Sequence, residues 1–200
     1  MFRNNEICLE DLMALIPDPT APSVYQYYEG LKKRRIIFNK VVDADIVEQV
    51  IIPLMDMDSD ESGDPIEIIL ATPGGSTFDS LILCNIIDNL KTPTTIRVMG
   101  YAFSMGGLFL CAGYNNPNVK KVCYPFSAAL LHAGNVGFEG SANAVKDTMK
   151  FNDEMNEKIR EYVLSHSKIT EEEYEKMERC EWYMCAEKML ELGLVDEIIE

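Results

Sequence analysis

Short apolar, β-branched runs alternate along the chain with longer amphipathic segments, a pattern typical of strands followed by helices. The pattern predicts strands at residues 35–38, 66–71, 94–99, 121–123, 128–131 and 195–199. It predicts helices at residues 25–34, 43–57, 78–90, 105–112, 141–164, 170–177 and 185–192. Because strand, turn and helix repeat in this order, we expect an α/β fold whose turns open on one edge of a sheet, where sites assemble.

The same pattern indicates how the chain is organised. Residues 1–22 contain three prolines and only a short amphipathic segment, so we expect an N-terminal arm. Residues 23–200 contain no linker long enough to separate two domains, so we expect them to form one domain. The long helix predicted at 141–164 carries an apolar stripe, which indicates helix packing or a contact between subunits.

Composition and charge exclude several function classes. A hydrophobic content of 47% in 200 residues is enough for a sizeable core. The net charge of −15 opposes a nucleic-acid partner, and the basic run at 32–35 is interpreted as the solvated end of a helix. No apolar run approaches eighteen residues and no signal-peptide pattern opens the chain, which predicts a cytoplasmic protein without a membrane partner.

The six cysteines form no C-x-x-C pair, and the histidines show no paired spacing. Neither a metal site nor a redox motif is therefore predicted. Several cysteines fall within apolar segments, as small core residues do, so we expect reduced thiols.

One serine stands where a predicted strand gives way to a predicted helix. Gly100 is expected to break the strand and the apolar helix begins at Met105, so Ser104 falls at the helix N-terminus. Free backbone N–H groups and the positive end of the helix dipole converge there, which suits a developing oxyanion. Ser104 is therefore a candidate nucleophile, and an ordinary N-cap serine is the alternative.

A nucleophilic serine needs a base, and the chain contains two histidines. His166 lies at the predicted end of the long helix, where an imidazole complements the helix dipole, and is interpreted as structural. His132 ends an apolar strand just before Gly134 and is a candidate general base. The alternative for His132 is a core histidine satisfied by one hydrogen bond.

The turn Pro73-Gly74-Gly75 could supply the second half of an oxyanion hole. Glycine permits backbone conformations closed to other residues and lets an N–H face a substrate carbonyl at close range. A plain turn is the alternative.

Taken together, these segments resemble the proteolytic subunit of the Clp protease family over about residues 35–198. The matching segments are Arg35–Phe38, Thr72–Ser76, Gly100–Gly106, Leu131–His132, Tyr183–Glu187 and Gly193–Ile198. The resemblance implies a crotonase-like fold of repeated β/β/α units with a long helix after the catalytic histidine. It also implies a serine endopeptidase that cleaves peptides or unfolded protein and needs no cofactor.

The resemblance further implies a role for each candidate residue. Ser104 would be the nucleophile and His132 the general base. The backbone oxyanion donors would be Gly75 and Met105, and the substrate-binding residues Gly74, Ser76, Ala133 and Gly134.

The third member of the family's triad is an aspartate, and Glu181 stands at the matching position. A glutamate can still accept a hydrogen bond from the imidazole. Its extra methylene displaces the carboxylate unless the backbone retreats, and such an orientation error can cost about 100-fold in rate. The neighbours Trp182 and Tyr183 predict that Glu181 is partly buried.

Members of this family assemble into seven-membered rings that stack in pairs, with the long helix between the rings. The resemblance thus implies a homo-oligomer, a heptamer or a tetradecamer, and an AAA+ unfoldase partner. Two tyrosines of the family's docking pocket are replaced here by Glu67 and Ile69, and a buried charge in an apolar pocket would oppose docking. Such departures are typical of a divergent or virus-encoded member.

Two further functions stay open on the sequence. The crotonase fold also hosts acyl-CoA hydratases and hydrolases, although these more often use carboxylates than a serine with a histidine. The other is a ring-forming, catalytically impaired scaffold whose triad drifted to Glu181.

Overall fold

The structure, a computed structural model, describes residues 22–134 and 137–200. Its helices are α1 (Pro22–Lys32), α2 (Ile52–Ser59, after a π-helical turn at Val47–Ile51), α3 (Thr77–Asp88), α4 (Met105–Leu108), α5 (Ala142–Ser165), α6 (Glu171–Met177) and α7 (Ala186–Glu191). Its strands are β1 (Arg35–Phe38), β2 (Ile66–Thr72), β3 (Thr94–Phe103), β4 (Val119–Cys123), β5 (Ala128–Leu131), β6 (Trp182–Cys185) and β7 (Glu197–Ile198). Apart from Pro22, which opens α1, the predicted arm lies outside the described residues, and the division into arm and domain stays a prediction.

The strands form one mainly parallel sheet. β1, β2, β3, β4 and β7 lie side by side in that order, each parallel to its neighbour. β5 runs parallel to the last residues of β3, and β6 pairs with β5 in the antiparallel direction. The predicted α/β class with a long helix is confirmed, whereas β6 is absent from the prediction, which instead begins a helix at residue 185, the last residue of this strand.

β3 does not end before Gly100, as the pattern predicts, but continues to Phe103. Gly100 has a φ of 108°, which glycine accommodates, and the pairing with β2 shifts register between Leu70 and Thr72. The strand therefore bulges instead of breaking. Beyond the bulge β3 leaves β4 and pairs with β5 as far as Phe103, so Ser104 directly follows the end of this pairing.

The segment after α4 is fastened to β4 by a buried lysine. Lys121 is 0% exposed, and its Nζ donates to the Leu110 carbonyl at 2.6 Å and the Ala112 carbonyl at 3.3 Å. These carbonyls lie at the end of a short helical segment, where intrahelical donors run out. Burial lowers the pKa of Lys121.

Only the C-terminal half of α5 packs on the core. Val163 is buried, and Ile159 and Tyr162 pack against the core cluster, but Met149 is 47% exposed and Phe151 50% exposed. The predicted apolar stripe therefore has two environments, and a subunit contact by its first half stays a prediction. Among the described helices, none combines the length and apolarity needed to span a membrane.

Candidate active site

Ser104 lies in the tight connection between β3 and α4. Its backbone has φ 55° and ψ −120°, a conformation that residues with a Cβ rarely adopt. The Ser104 N–H donates to the Leu130 carbonyl at 2.9 Å, and the Ser104 carbonyl accepts from the Gly107 N–H at 2.9 Å. Ser104 occupies the N-cap position of α4 but makes no side-chain capping bond, so its hydroxyl is available to another partner.

That partner is His132, the residue after β5. Its Nε2 lies 2.8 Å from Ser104 Oγ, and its Nδ1 lies 2.9 Å from Glu181 Oε1. Because a carboxylate only accepts hydrogen bonds, Nδ1 carries the proton and Nε2 accepts from the Ser104 hydroxyl. The three side chains thus form one continuous hydrogen-bonded chain.

The pairing of β5 with β6 places Glu181 beside the histidine. Leu131 pairs with Trp182, so the next residues outward, His132 and Glu181, face each other. The Glu181 side chain is 57% exposed, and the predicted partial burial is wrong. Side chains alternate along an extended strand, so Glu181 shares the exposed side with Tyr183, which is 62% exposed, while Trp182 packs on the core.

The Pro-Gly-Gly turn after β2 packs directly against the serine. A Cβ on Gly74 would lie 2.8 Å from Ser104 Cβ and 2.9 Å from the Met105 nitrogen. A Cβ on Gly75 would lie 2.1 Å from the Val42 carbonyl oxygen. Glycine is therefore needed at Gly74 for the close approach of the turn to Ser104, and at Gly75 for its close approach to the Val42 backbone.

The predicted oxyanion donors lie beside the serine. Gly75 and Met105 line the same cleft as Ser104 and His132. Met105 is the first residue of α4, a position whose N–H has no acceptor within the helix. A substrate oxygen in the cleft can take that place.

The four predicted substrate-binding residues fall into two groups. Ala133 and Gly134 line the cleft, whereas Gly74 and Ser76 are not among its described lining residues. The Gly74 N–H donates to Thr72 Oγ1 at 3.1 Å, and the Ser76 hydroxyl caps α3. These bonds shape the turn, and substrate binding by Gly74 and Ser76 stays a prediction.

The cleft itself has a volume of about 620 Å³ and runs from Ser104 and His132 to α5 and α6. Its apolar lining residues are Phe78, Met105, Leu108, Leu131, Phe138, Phe151, Met155, Ile159, Val163 and Met177. The members on α5 and α6 are not predictable from the sequence, because an apolar helical stripe shows which residues share a face but not which part of the fold that face contacts.

Glu67 is a paired charge on the outer side of β2. Its carboxylate accepts hydrogen bonds from Arg35 Nε at 2.5 Å and from Arg97 Nε at 2.8 Å. Burial alone would raise the pKa of Glu67, but the hydrogen bonds from both arginines outweigh it and the pKa is lowered. This surface therefore carries a charged network where the sequence suggests an isolated buried charge.

The described cysteines are free thiols, and Cys84, Cys111 and Cys123 are buried. Burial raises the pKa of Cys111 to about 12 and that of Cys123 to about 11, so neither is a thiolate at neutral pH. Within residues 22–134 and 137–200, no group of three His, Cys, Asp or Glu residues is placed to hold a metal ion.

Comparison with known proteins places the chain in a family. The family model described as Clp protease matches residues 19–200. The ATP-dependent Clp protease proteolytic subunit of Deinococcus radiodurans is 25% identical over 177 residues, which cover 88% of this chain and 85% of the relative. Since the family match takes in the whole sheet and the helices that frame the cleft, the chain belongs to the Clp protease family.

Proposed function

We propose that the protein is a serine endopeptidase that cleaves peptides or unfolded protein, with Ser104, His132 and Glu181 as catalytic residues. The observation that carries the proposal is the hydrogen-bonded chain from the Ser104 hydroxyl through both His132 nitrogens to the Glu181 carboxylate. Membership of the Clp protease family supports peptidase chemistry.

In the proposed mechanism, His132 Nε2 takes the proton of the Ser104 hydroxyl as Oγ attacks the scissile carbonyl. The N–H groups of Gly75 and Met105 donate to the oxyanion that forms. Glu181 stabilises the imidazolium, which then gives its proton to the leaving amine. A water activated by His132 releases the acyl group from the serine.

Substrate binding is proposed beside the residues that follow β5. Ala133 and Gly134 border the cleft, and an extended peptide can add there as a further strand through main-chain hydrogen bonds. One substrate side chain then enters the cleft between the serine and α5.

The proposed assembly follows from the family and from exposed apolar side chains. The Deinococcus radiodurans relative is named as the proteolytic subunit of an ATP-dependent protease. By analogy we propose a cytoplasmic homo-oligomeric ring, a heptamer or a tetradecamer, that an AAA+ unfoldase can supply with substrate. Phe126 is 99% exposed and Met99 is 51% exposed, which supports contacts between subunits.

A serine-reactive fluorophosphonate probe tests the catalytic proposal. We expect the probe to label the wild-type protein and not Ser104→Ala, and peptide hydrolysis to be lost in the same variant. The exposure of Glu181 favours one second candidate, a catalytically impaired scaffold. Absence of labelling in a well-folded oligomer would identify that scaffold and overturn the peptidase.

A further inference from the structure

The cleft beside the serine combines apolar walls with one acidic group. Leu108, Met155 and Ile159 contribute to the walls, and among the described lining residues Glu178 is the only carboxylate. A single negative charge at the edge of an apolar cleft complements a side chain with an aliphatic stem and a cationic head.

Glu178 lies close to the reacting groups. It is the C-cap residue of α6, and three peptide units separate it from Glu181. Their Cα atoms are therefore at most about 11 Å apart. Because Glu178 lines the same cleft as Ser104 and His132, a long substrate side chain that enters this cleft can reach its carboxylate.

Two carboxamides add hydrogen-bond acceptors to the same cleft. Asn152 and Asn156 stand one helical turn apart on α5, and both line the cleft. Neither side chain hydrogen-bonds to another residue in the described part of the chain. Their oxygens can share an ammonium or a guanidinium group with a carboxylate.

Within the described residues, no cation forms a direct ion pair with the Glu178 carboxylate. Arg160, the nearby cation, contacts Glu157 at 3.3 Å and Glu171 at 4.0 Å, and its guanidinium lies 5.9 Å from the centre of the Tyr174 ring. Burial and the charge of Glu178 raise the pKa of Tyr174 to about 12, so its phenol stays neutral. Arg160 weakens the field of Glu178 but does not occupy its carboxylate.

We propose that Glu178 makes the cleft select substrates with lysine or arginine beside the scissile bond. The inference rests on the proposed peptidase function and names the substrate class of that site. The aliphatic stem packs on the apolar walls, and the charged head is bound by Glu178 and the carboxamide oxygens. The net charge of −15 also attracts basic peptides to the protein.

The test measures kcat/KM on quenched-fluorescence peptides that differ only in Lys, Arg, Leu or Glu on either side of the scissile bond, with cleavage sites located by mass spectrometry. We expect the wild-type enzyme to cleave the Lys and Arg peptides at least roughly 10-fold more efficiently than the Leu peptide. Glu178→Gln should lower kcat/KM for the Lys and Arg peptides at least roughly 10-fold relative to the Leu peptide and so remove that advantage.

Three variants sharpen the result. Glu175→Gln makes the same charge change on an exposed residue of α6 that does not line the cleft, and should leave the lysine-to-leucine ratio unchanged. Arg160→Gln should raise the ratio because it removes the competing cation. Glu178→Lys should move the preference towards the Glu peptide.

Probe labelling of Ser104 verifies that each Glu178 variant retains a folded site. A wild-type preference for leucine, or a ratio that neither Glu178 variant changes, overturns the inference while the peptidase stands. If the probe does not label the wild-type protein, and this protein hydrolyses none of the peptides, the proposed function itself is overturned.

Discussion

The Glu181 carboxylate reaches His132 Nδ1 at 2.9 Å although 57% of its side chain is exposed. The longer side chain of glutamate bridges the distance from the outer side of the β5–β6 pair to the imidazole. Water and salt screen such a contact more than they would a buried one. We therefore expect Glu181 to act chiefly by fixing the orientation and tautomer of the ring.

Shortening this side chain should impair the enzyme. Glu181→Asp withdraws the carboxylate from His132, and we expect kcat/KM for a peptide to fall about 100-fold. Glu181→Gln keeps the length but removes the charge and permits the wrong imidazole tautomer, so kcat should fall further, by up to about 10⁴-fold. A severalfold rise in the Asp variant would show that the native site is an impaired one.

The backbone of Ser104 should be strained by its Cβ. The backbone at this position has φ 55° and ψ −120°, which glycine adopts without strain. We therefore expect the free energy of unfolding of Ser104→Gly to be about 1 kcal/mol higher than that of Ser104→Ala. Urea denaturation of both variants measures this difference, and neither should react with the probe. Equal stabilities would contradict the strain.

Gly74 should tolerate no side chain. In Gly74→Ala the new Cβ would lie 2.5 Å from the Phe103 carbonyl oxygen and 2.8 Å from Ser104 Cβ. We therefore expect the free energy of unfolding to fall by more than about 2 kcal/mol. We also expect the variant to lose probe labelling.

Gly63→Ala is the matched control for that substitution. Gly63 has φ +70°, and nothing lies within 4 Å of the position that a Cβ would take. The substitution therefore measures the cost of the backbone conformation alone, and we expect the free energy of unfolding to fall by about 1 kcal/mol. A similar loss in the two variants, with labelling kept, would show that the contact with Ser104 is unimportant.

Stability should fall at alkaline pH. Burial raises the pKa of both Cys111 and Tyr174 to about 12, from ordinary values of 9.0 and 10.0. The unfolded chain therefore loses these protons first, so their contribution is complete below pH 9 and is lost as pH rises towards 12. Lys121 acts in the opposite direction, because burial lowers its pKa.

Two groups, the Cys111 thiol and the Tyr174 phenol, lower stability as pH rises, and one, the Lys121 amine, raises it. We therefore expect the free energy of unfolding to decline above about pH 9. Urea denaturation between pH 8 and pH 11 at constant ionic strength measures the slope. A flat or rising profile would contradict the prediction.

The local pattern of the sequence correctly predicts those elements whose characteristic residues, such as an apolar run or a helix cap, all lie within the element itself. β1 and β5 have the predicted bounds, and α6, which is predicted at 170–177, begins after a capping box formed by Thr170 and Glu173. The bulge at Gly100 is misread as a strand end because glycine permits both, and only the neighbouring strands decide between them.

The candidate site depends on contacts that spacing does not reveal. His132 and Glu181 are 49 residues apart, and family likeness, not periodicity, brings them together before the structure is known. The pairing of Glu67 with two arginines and the contribution of Glu178 to the cleft depend on register and helix placement. No local pattern encodes either of them.

The bulge in β3 also limits how this segment can change length in evolution. Between the pairings of Leu70 with Val98 and of Thr72 with Ala102, residues 99–101 of β3 oppose residue 71 alone, an excess of two. An even excess preserves the alternation of faces along the strand. Loss of Gly100 alone would make the excess odd and turn Ser104 away from His132, so working relatives should gain or lose residues here only in pairs.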